Sequence, residues 1–308
     1  MGTPALRESA TLFPKKRRRP HRGYASSVWW FVLPAAVLYV FAVVVPSAQG
    51  SFFAFTDWDG VSPNPSPVGF EQFTKILSDP NAVIAIRNTL LVAIVVMVVQ
   101  NILGLLIALG VNSRIKSRNV LRVLIFAPVV ITSIAVGFLW KNLLAPDGAV
   151  NQGLEAIGLG ALRQNWLGDP DVAIWAIMIV MIWQFVGYSM VIFLAGLQGI
   201  PDEVLEAASI DGAGSIRRFW DIVRPMLAPA ITINLMLSLI SGLKVFDQVW
   251  VMTQGGPGGA TNTISTLIYS NAFQLGRFGY GAALAVVLTI FVAIASAIQY
   301  RLLARQES

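Results

Sequence analysis

Residues 206–225 read EAASIDGAGSIRRFWDIVRP, a charged stretch with two glycines placed between two oily runs. Only 12% of the 308 residues are charged, against about 25% in soluble domains. A plain connection needs only a few polar residues, so this one asks for a purpose. Glu206 and Asp211 offer acceptors to a partner's basic groups. Ala207 and Ala208 leave a low-relief surface that another protein can approach closely. Pro201, with Asp202 and Glu203 after it, marks a helix start. Gly212 and Gly214 break that helix, and a second helix over 215–222 takes Ser215 as its N-cap. Such a unit can transmit a push, because short packed helices move as rigid bodies. It can equally lie as an amphipathic loop on a membrane surface. The residues alone leave both readings open.

A second set of polar residues sits inside oily runs, where ionisable groups are expensive and usually face a cavity or a partner. Lys244 and Asp247 are three apart, which puts them on one helical face, close enough to pair. They read as a cavity wall, a structural ion pair or a snorkelling lysine. Gln184 and Tyr188 share a face four residues apart, with Ser189 beside them. Asn234 and Ser238 occupy the next run. A sugar needs donors and acceptors for its hydroxyls and flat apolar surfaces for its rings, and Trp183 and Tyr188 supply the latter. Serine and asparagine also glue membrane helices together. Gln100 and Asn101 are expected to make such inter-helix hydrogen bonds. The candidate substrate path is therefore Gln184, Tyr188, Asn234, Lys244 and Asp247.

Other chemistries are excluded. The chain has no cysteine, and its one histidine, His21, lies in a basic tail. Thiolate nucleophiles, disulfides, Cys-based metal sites and His-based relays fall away. No acid–base constellation marks an enzyme, and no catalytic or metal residue is assigned. The run GGPGG at 255–259 is followed by Ala260 and Thr261, not by the lysine that a phosphate-binding loop requires. It reads as an outer turn against a partner. No Walker motif occurs, so no cofactor is assigned to this chain, and any ATP hydrolysis must come from a separate subunit.

The elements that position these residues are membrane spans. A span needs about 20 mostly apolar residues. Six runs qualify: 28–47, 89–111, 120–140, 172–197, 227–246 and 280–303. Pro128 interrupts the third, which a membrane helix can tolerate. The net charge of +6 would suggest nucleic acid in a soluble protein. Here it is concentrated in short segments beside the spans, so it sets topology and no nucleic-acid partner is expected. Sixteen of the 22 Lys and Arg fall on one side: in the first tail, near Arg114–Arg122, at Arg217, Arg218 and Arg224, and at the C-terminus. Five fall on the other. Both termini are then cytoplasmic, and 48–88, 141–171 and 247–279 face outward. The first run is long enough to span and five more follow, so it is a retained helix, not a cleaved signal. The segment TDWDGVSPNPSPVG is an irregular loop. The chain divides into a basic tail (1–27), a first helix with its outer loop (28–87), a core (88–303) and a short tail (304–308). No internal repeat is visible.

Glu206-Ala207-Ala208 followed by Gly212, Ile222 and Pro225 resembles the EAA loop of ABC importer permeases. That pattern ends in Leu-Pro, and here Arg224 stands before Pro225. The stretch FDQVWVMTQGGPGGATNTISTLIYSNAF at 246–273, with AGLQGIPDEVLEAASIDGAG at 195–214, is similar to the sugar and glycerol-3-phosphate branch of that family. The resemblance covers roughly 85–300. It implies an all-α integral membrane protein with a type I ABC importer permease fold, in a bacterial or archaeal plasma membrane. It implies that 201–225, through Glu206, Ala207, Ala208, Asp211, Gly212, Ile222 and Pro225, docks into a cleft of an ATP-hydrolysing subunit. The implied partners are a second permease in a heterodimer, two ATP-binding cassette subunits, an extracytoplasmic solute-binding protein and a small solute, a sugar by this branch. Non-sugar cargo and an ion-driven secondary transporter remain as alternatives.

Overall fold

The computed structural model describes residues 24–113 and 115–304. The basic tail through Arg22, His21 within it, and the topology residues Arg114 and Arg305 lie outside the described residues. Among the described residues the chain is helical, with one isolated β-bridge between Thr56 and Pro67.

Two compact units divide the chain, residues 1–49 and 50–308. The helix that begins the described chain runs as α1 (Tyr24–Tyr39), a π turn (Val40–Val44) and α2 (Val45–Phe53). The wide turn has a local cause. Pro46 has no N–H and its ring crowds the carbonyl four residues back. Opening the turn, with Val45 N–H bonding to Val40 O, accommodates that ring without ending the helix. Phe31–Phe53 makes a 23-residue apolar helix, long enough to cross a bilayer.

In the second unit an irregular loop leads to α3 (Glu71–Ser78) and α4 (Pro80–Asn112). The helix that holds the span expected at 89–111 begins earlier, at Pro80. Asp79 caps it by accepting from the Asn81 N–H at 2.9 Å, and Pro80 occupies the first turn, where its missing donor is harmless. Next come α5 (Arg118–Val130), α6 (Ser133–Leu143), α7 (Ala149–Ala156) and α8 (Ala173–Gln198). They are followed by α9 (Asp202–Ile210), α10 (Ser215–Arg218), a second π turn (Phe219–Val223), α11 (Arg224–Met226) and α12 (Ala228–Leu243). The chain closes with α13 (Asp247–Thr253), α14 (Ile264–Tyr269), a third π turn (Ser270–Gln274) and α15 (Phe278–Ala304). The second π turn, like the first, ends just before a proline, Pro225.

Among the described residues four helices are long and apolar enough to cross a membrane, and two bent pairs bring the number to six if each pair is one span. The third expected span is not a continuous helix. α5 and α6 meet at 98° across Ile131 and Thr132. Pro128 removes a donor near the end of α5, and Thr132 starts a new helix with its Oγ1 accepting from Ala135 N–H. The fifth expected span is shorter than its apolar run: α12 stops at Leu243, and Ser215–Met226 leads into it at a 70° bend.

α4 is the central rod, packed along α8 and α12. Small residues let these backbones close. A Cβ on Gly104 would stand 2.6 Å from Ser189 Cβ, and one on Gly242 would stand 2.6 Å from Ala93 Cα. One apolar cluster joins Val92, Val96, Ile177, Met181 and Val249. Another joins Ala108, Met190, Phe193 and Leu227 toward the other end.

Candidate functional site

The polar residues of α4, α8 and α12 meet inside the helix bundle. Gln100 Nε2 donates to Ser189 Oγ at 2.8 Å, and Ser189 Oγ donates to Asn234 Oδ1 at 3.1 Å. Asn234 Nδ2 donates to Ser189 O at 3.1 Å. Asn101 Nδ2 donates to Ser238 Oγ at 2.8 Å. Three helices are thereby tied by buried hydrogen bonds, as expected for Gln100 and Asn101. In a membrane interior each bond also removes an otherwise orphaned polar group.

This network backs a cavity of about 550 Å³, within the usual range for small-molecule sites. Tyr188, Asn234, Lys244 and Asp247 all line it, together with Gln248, Phe185 and Phe246. Four of the five expected path residues are thus brought together. The fifth, Gln184, stands behind the wall. It is 1% exposed, donates from Nε2 to Ile131 O at 3.0 Å and accepts from Gln248 Nε2 at 3.0 Å. The Ile131 carbonyl is one that the α5–α6 break leaves without a helical partner. Gln184 therefore satisfies the break and fixes a cavity residue. Trp183 rests edge-on against Trp140, ring centroids 5.3 Å apart, and is not part of the lining.

The expected shared face of Lys244 and Asp247 does not exist. Lys244 caps α12, Asp247 opens α13, and no ion pair joins them. The helix break between them leaves both residues in the lining of one cavity. Gln248 and Phe246 were not expected from the sequence. Their signal is the FDQ triplet after an apolar run, which reads as more span until the break at 244–246 is known.

The second candidate region is the loop 201–225. Pro201 is extended (φ −63°, ψ 134°) and precedes α9, whose first turn carries Asp202 and Glu203. α9 ends in a left-handed turn at Gly212, φ +79°. Gly212 N–H bonds Ser209 O at 3.2 Å and Ala213 N–H bonds Ala208 O at 2.9 Å, the paired closure of a Schellman end. The glycine bend is as expected. The N-cap of α10 is Gly214, with Ser215 already helical, so Ser215 does not cap. A single brace crosses the bend instead: Arg218 Nη1 donates to Ser209 Oγ at 2.9 Å.

Glu206, Ala207, Asp211, Gly212 and Pro225 are exposed, and Ile222 is half-buried. Ala208 is buried, so the low-relief surface belongs to Ala207 and not to the pair. Ile210, Ile216 and Trp220 add exposed apolar surface to the same unit, Ile210 at 86%. Exposed apolar residues rimmed by charge mark an interaction surface. Arg224 stacks over the Trp220 ring at 5.3 Å, so the residue in the leucine position of the pattern still packs locally. The segment just after the run at 255–259 is held to the chain's own α4: Asn88 Nδ2 donates to Ala260 O at 2.7 Å and Asn262 O at 2.9 Å.

The comparisons with known proteins agree with this architecture. Residues 100–308 match the family described as binding-protein-dependent transport system inner membrane component. The chain is 35% identical over 278 residues to the multiple sugar-binding transport system permease protein MsmF of Streptococcus mutans, covering 89% of this chain and 94% of that one. It is 34% identical over 280 residues to the probable starch degradation products transport system permease protein AmyD of Thermoanaerobacterium thermosulfurigenes, covering 91% and 94%. In fold it is similar to a chain of a bacterial ABC transporter that imports the acidic polysaccharide alginate, with a TM-score of 0.80 at 23% identity over 91% of this chain and 96% of that one. By its matched length and its relatives, the chain belongs to the family of binding-protein-dependent transport system inner membrane components.

Proposed function

We propose that the chain is one of two permease subunits of an ATP-driven importer and that its cargo is a carbohydrate. The observation that carries the cargo is the lining of the 550 Å³ cavity, where Tyr188, Phe185 and Phe246 stand beside Asn234, Lys244, Asp247 and Gln248. Sugars present hydroxyl edges and apolar C–H faces together. Mixed rings and hydrogen-bonding groups suit that pattern. The names of the curated relatives support the same class.

In this reading both termini are cytoplasmic and the loop 201–225 docks on an ATPase subunit. Nucleotide-driven closure of the ATPases moves the α9–α10 unit as a body. The 70° bend into α12 passes that displacement to the helix bearing Asn234. The cavity then opens to a solute-binding protein outside and, after hydrolysis, to the cytoplasm. Ligand and nucleotide must favour different states for this to couple. The chain performs no covalent step.

A second reading, phosphorylated-polyol cargo, draws on Lys244, whose side chain makes no ion pair among the described residues. Asp247 in the same cavity opposes it, since an anion would meet a carboxylate as well as an ammonium. The test is uptake by the whole complex in proteoliposomes: second permease, two ATPases and binding protein. Maltose, trehalose and maltotriose are offered against glycerol 3-phosphate. ATP-dependent uptake of a sugar supports the proposal. Uptake of glycerol 3-phosphate alone rejects it.

A further inference from the structure

A row of aromatic rings leaves the cavity. Phe246, in its lining, lies nearly parallel to Trp250, interplanar 12°, at 5.7 Å between centroids. Trp250 meets Tyr269 at 4.6 Å, Tyr269 meets Phe273 at 5.5 Å, and Phe273 meets Phe278 at 6.2 Å. Phe278 meets Trp58 at 4.7 Å. Trp58 lines a second pocket, of about 490 Å³, with Asp57, Gln72, Lys75 and Arg277 around it. The row therefore joins two polar cavities without a gap. It is assembled from three separate stretches, near residue 58, at 246–250 and at 269–278.

We propose that this row is a track for the carbohydrate, leading from the outer pocket to the membrane cavity. The inference rests on the carbohydrate reading above. Three features favour a sugar over other occupants. First, the row opens to the surface at two of its six rings: Phe273 is 69% exposed and Tyr269 36%, while Phe246, Trp250, Phe278 and Trp58 are half-buried. Second, each ring touches the next, so an apolar sugar face leaving one ring can engage its neighbour before release. Aromatic faces and edges both offer such contact at these separations. Third, both ends are polar. Arg277 makes no side-chain hydrogen bond or ion pair among the described residues, and its guanidinium is free for hydroxyls. A membrane-interface belt would put rings against lipid one by one and would not need polar pockets at its ends. A protein-packing stripe would need apolar bulk, with no requirement for rings.

Phe273 decides the matter, because it is the most exposed ring and its loss leaves little void. The complete complex is reconstituted with Phe273→Ala, Phe273→Leu or Phe273→Tyr, and uptake of maltose, trehalose and maltotriose is measured. Recovery of the assembled complex is measured alongside. The track predicts a maximal rate lowered roughly 2- to 12-fold in the alanine and leucine variants alike, with the tyrosine variant near wild type. Leucine equal to wild type, with alanine poor and complex recovery reduced, would make the row a protein contact and overturn the track. Three variants equal to wild type would leave the rings to lipid and overturn it too. A wild-type complex that imports glycerol 3-phosphate and none of the three sugars defeats the carbohydrate reading itself, an outcome distinct from both.

Discussion

Gln184 Oε1 accepts a hydrogen bond from Gln248 Nε2 at 3.0 Å, while Gln184 Nε2 holds the carbonyl of Ile131 at the same distance. One buried amide thus joins the break between α5 and α6 to the wall of the membrane cavity. Its two bonds use both ends of the side chain, so no hydrocarbon side chain of equal size can replace it.

Replacing Gln184 by Leu should therefore leave the Ile131 carbonyl and the Gln248 amide without partners. Each buried unsatisfied group costs about 1–3 kcal/mol. Thermal unfolding in detergent should show the loss, and Gln248→Leu should cost less because Gln184 keeps its bond to Ile131. Equal midpoints for wild type and Gln184→Leu would mean that the break is held by other contacts.

A Cβ added at Gly212 would meet nothing within 4 Å, so a substitution there meets strain and not a clash. An L-residue at φ +79° costs about 1–2 kcal/mol. Gly212→Ala should weaken coupling, and Gly212→Pro should abolish uptake with the protein still in the membrane. Glu206→Lys should do the same by reversing charge on the exposed face of α9. The check is membrane content by immunoblot beside ATP-dependent uptake; full uptake by Gly212→Pro and Glu206→Lys would reject a coupling role for the loop.

Lys244 and Asp247 act on the cavity separately, since they do not pair. Lys244→Gln and Asp247→Asn should each raise the half-saturating concentration of binding-protein-delivered sugar, by roughly 10- to 150-fold for the loss of a charged hydrogen bond. The exchange Lys244→Asp with Asp247→Lys should not restore it. Restoration would show an ion pair forming in the transport cycle.

The loop between α2 and α3 carries a local pH signature. Ser62 donates its hydroxyl to Asp59 Oδ2 at 2.7 Å, and the N–H groups of Ser62 and Val61 donate to Oδ1 at 2.7 and 2.9 Å. These bonds, the Ser62 hydroxyl first, lower the Asp59 carboxyl from 3.8 to about 2. A depressed carboxylate stabilises the folded turn above its unfolded pKa, and that contribution disappears as pH falls through the folded value. Protease resistance of residues 59–66 should persist from pH 7 to 5 and decline only between 3.8 and about 2. Asp59→Asn should be cut faster at pH 7. A wild-type turn that opens already at pH 5 would contradict the hydrogen-bonded geometry.

Composition and spacing alone carried the helical membrane class, because about 20 apolar residues in a row have few other uses. They also carried the bend in the loop 201–225: a glycine after EAA-type helix formers ends a helix by its own backbone freedom, which is local physics. Gln100 and Asn101 were legible for the same reason, since a buried amide must find a partner. What the sequence could not decide was where an apolar run breaks. Pro128 permits a kink or a 98° turn, and the outcome rests on Gln184, 53 residues beyond Ile131, taking up the freed Ile131 carbonyl. Nor could spacing show that Lys244 and Asp247 flank a break, because helical periodicity assumes the helix continues. Only the tertiary structure turns both charges, with Tyr188 and Asn234, into a single cavity, since that convergence depends on contacts between α4, α8 and α12 that no local stretch encodes.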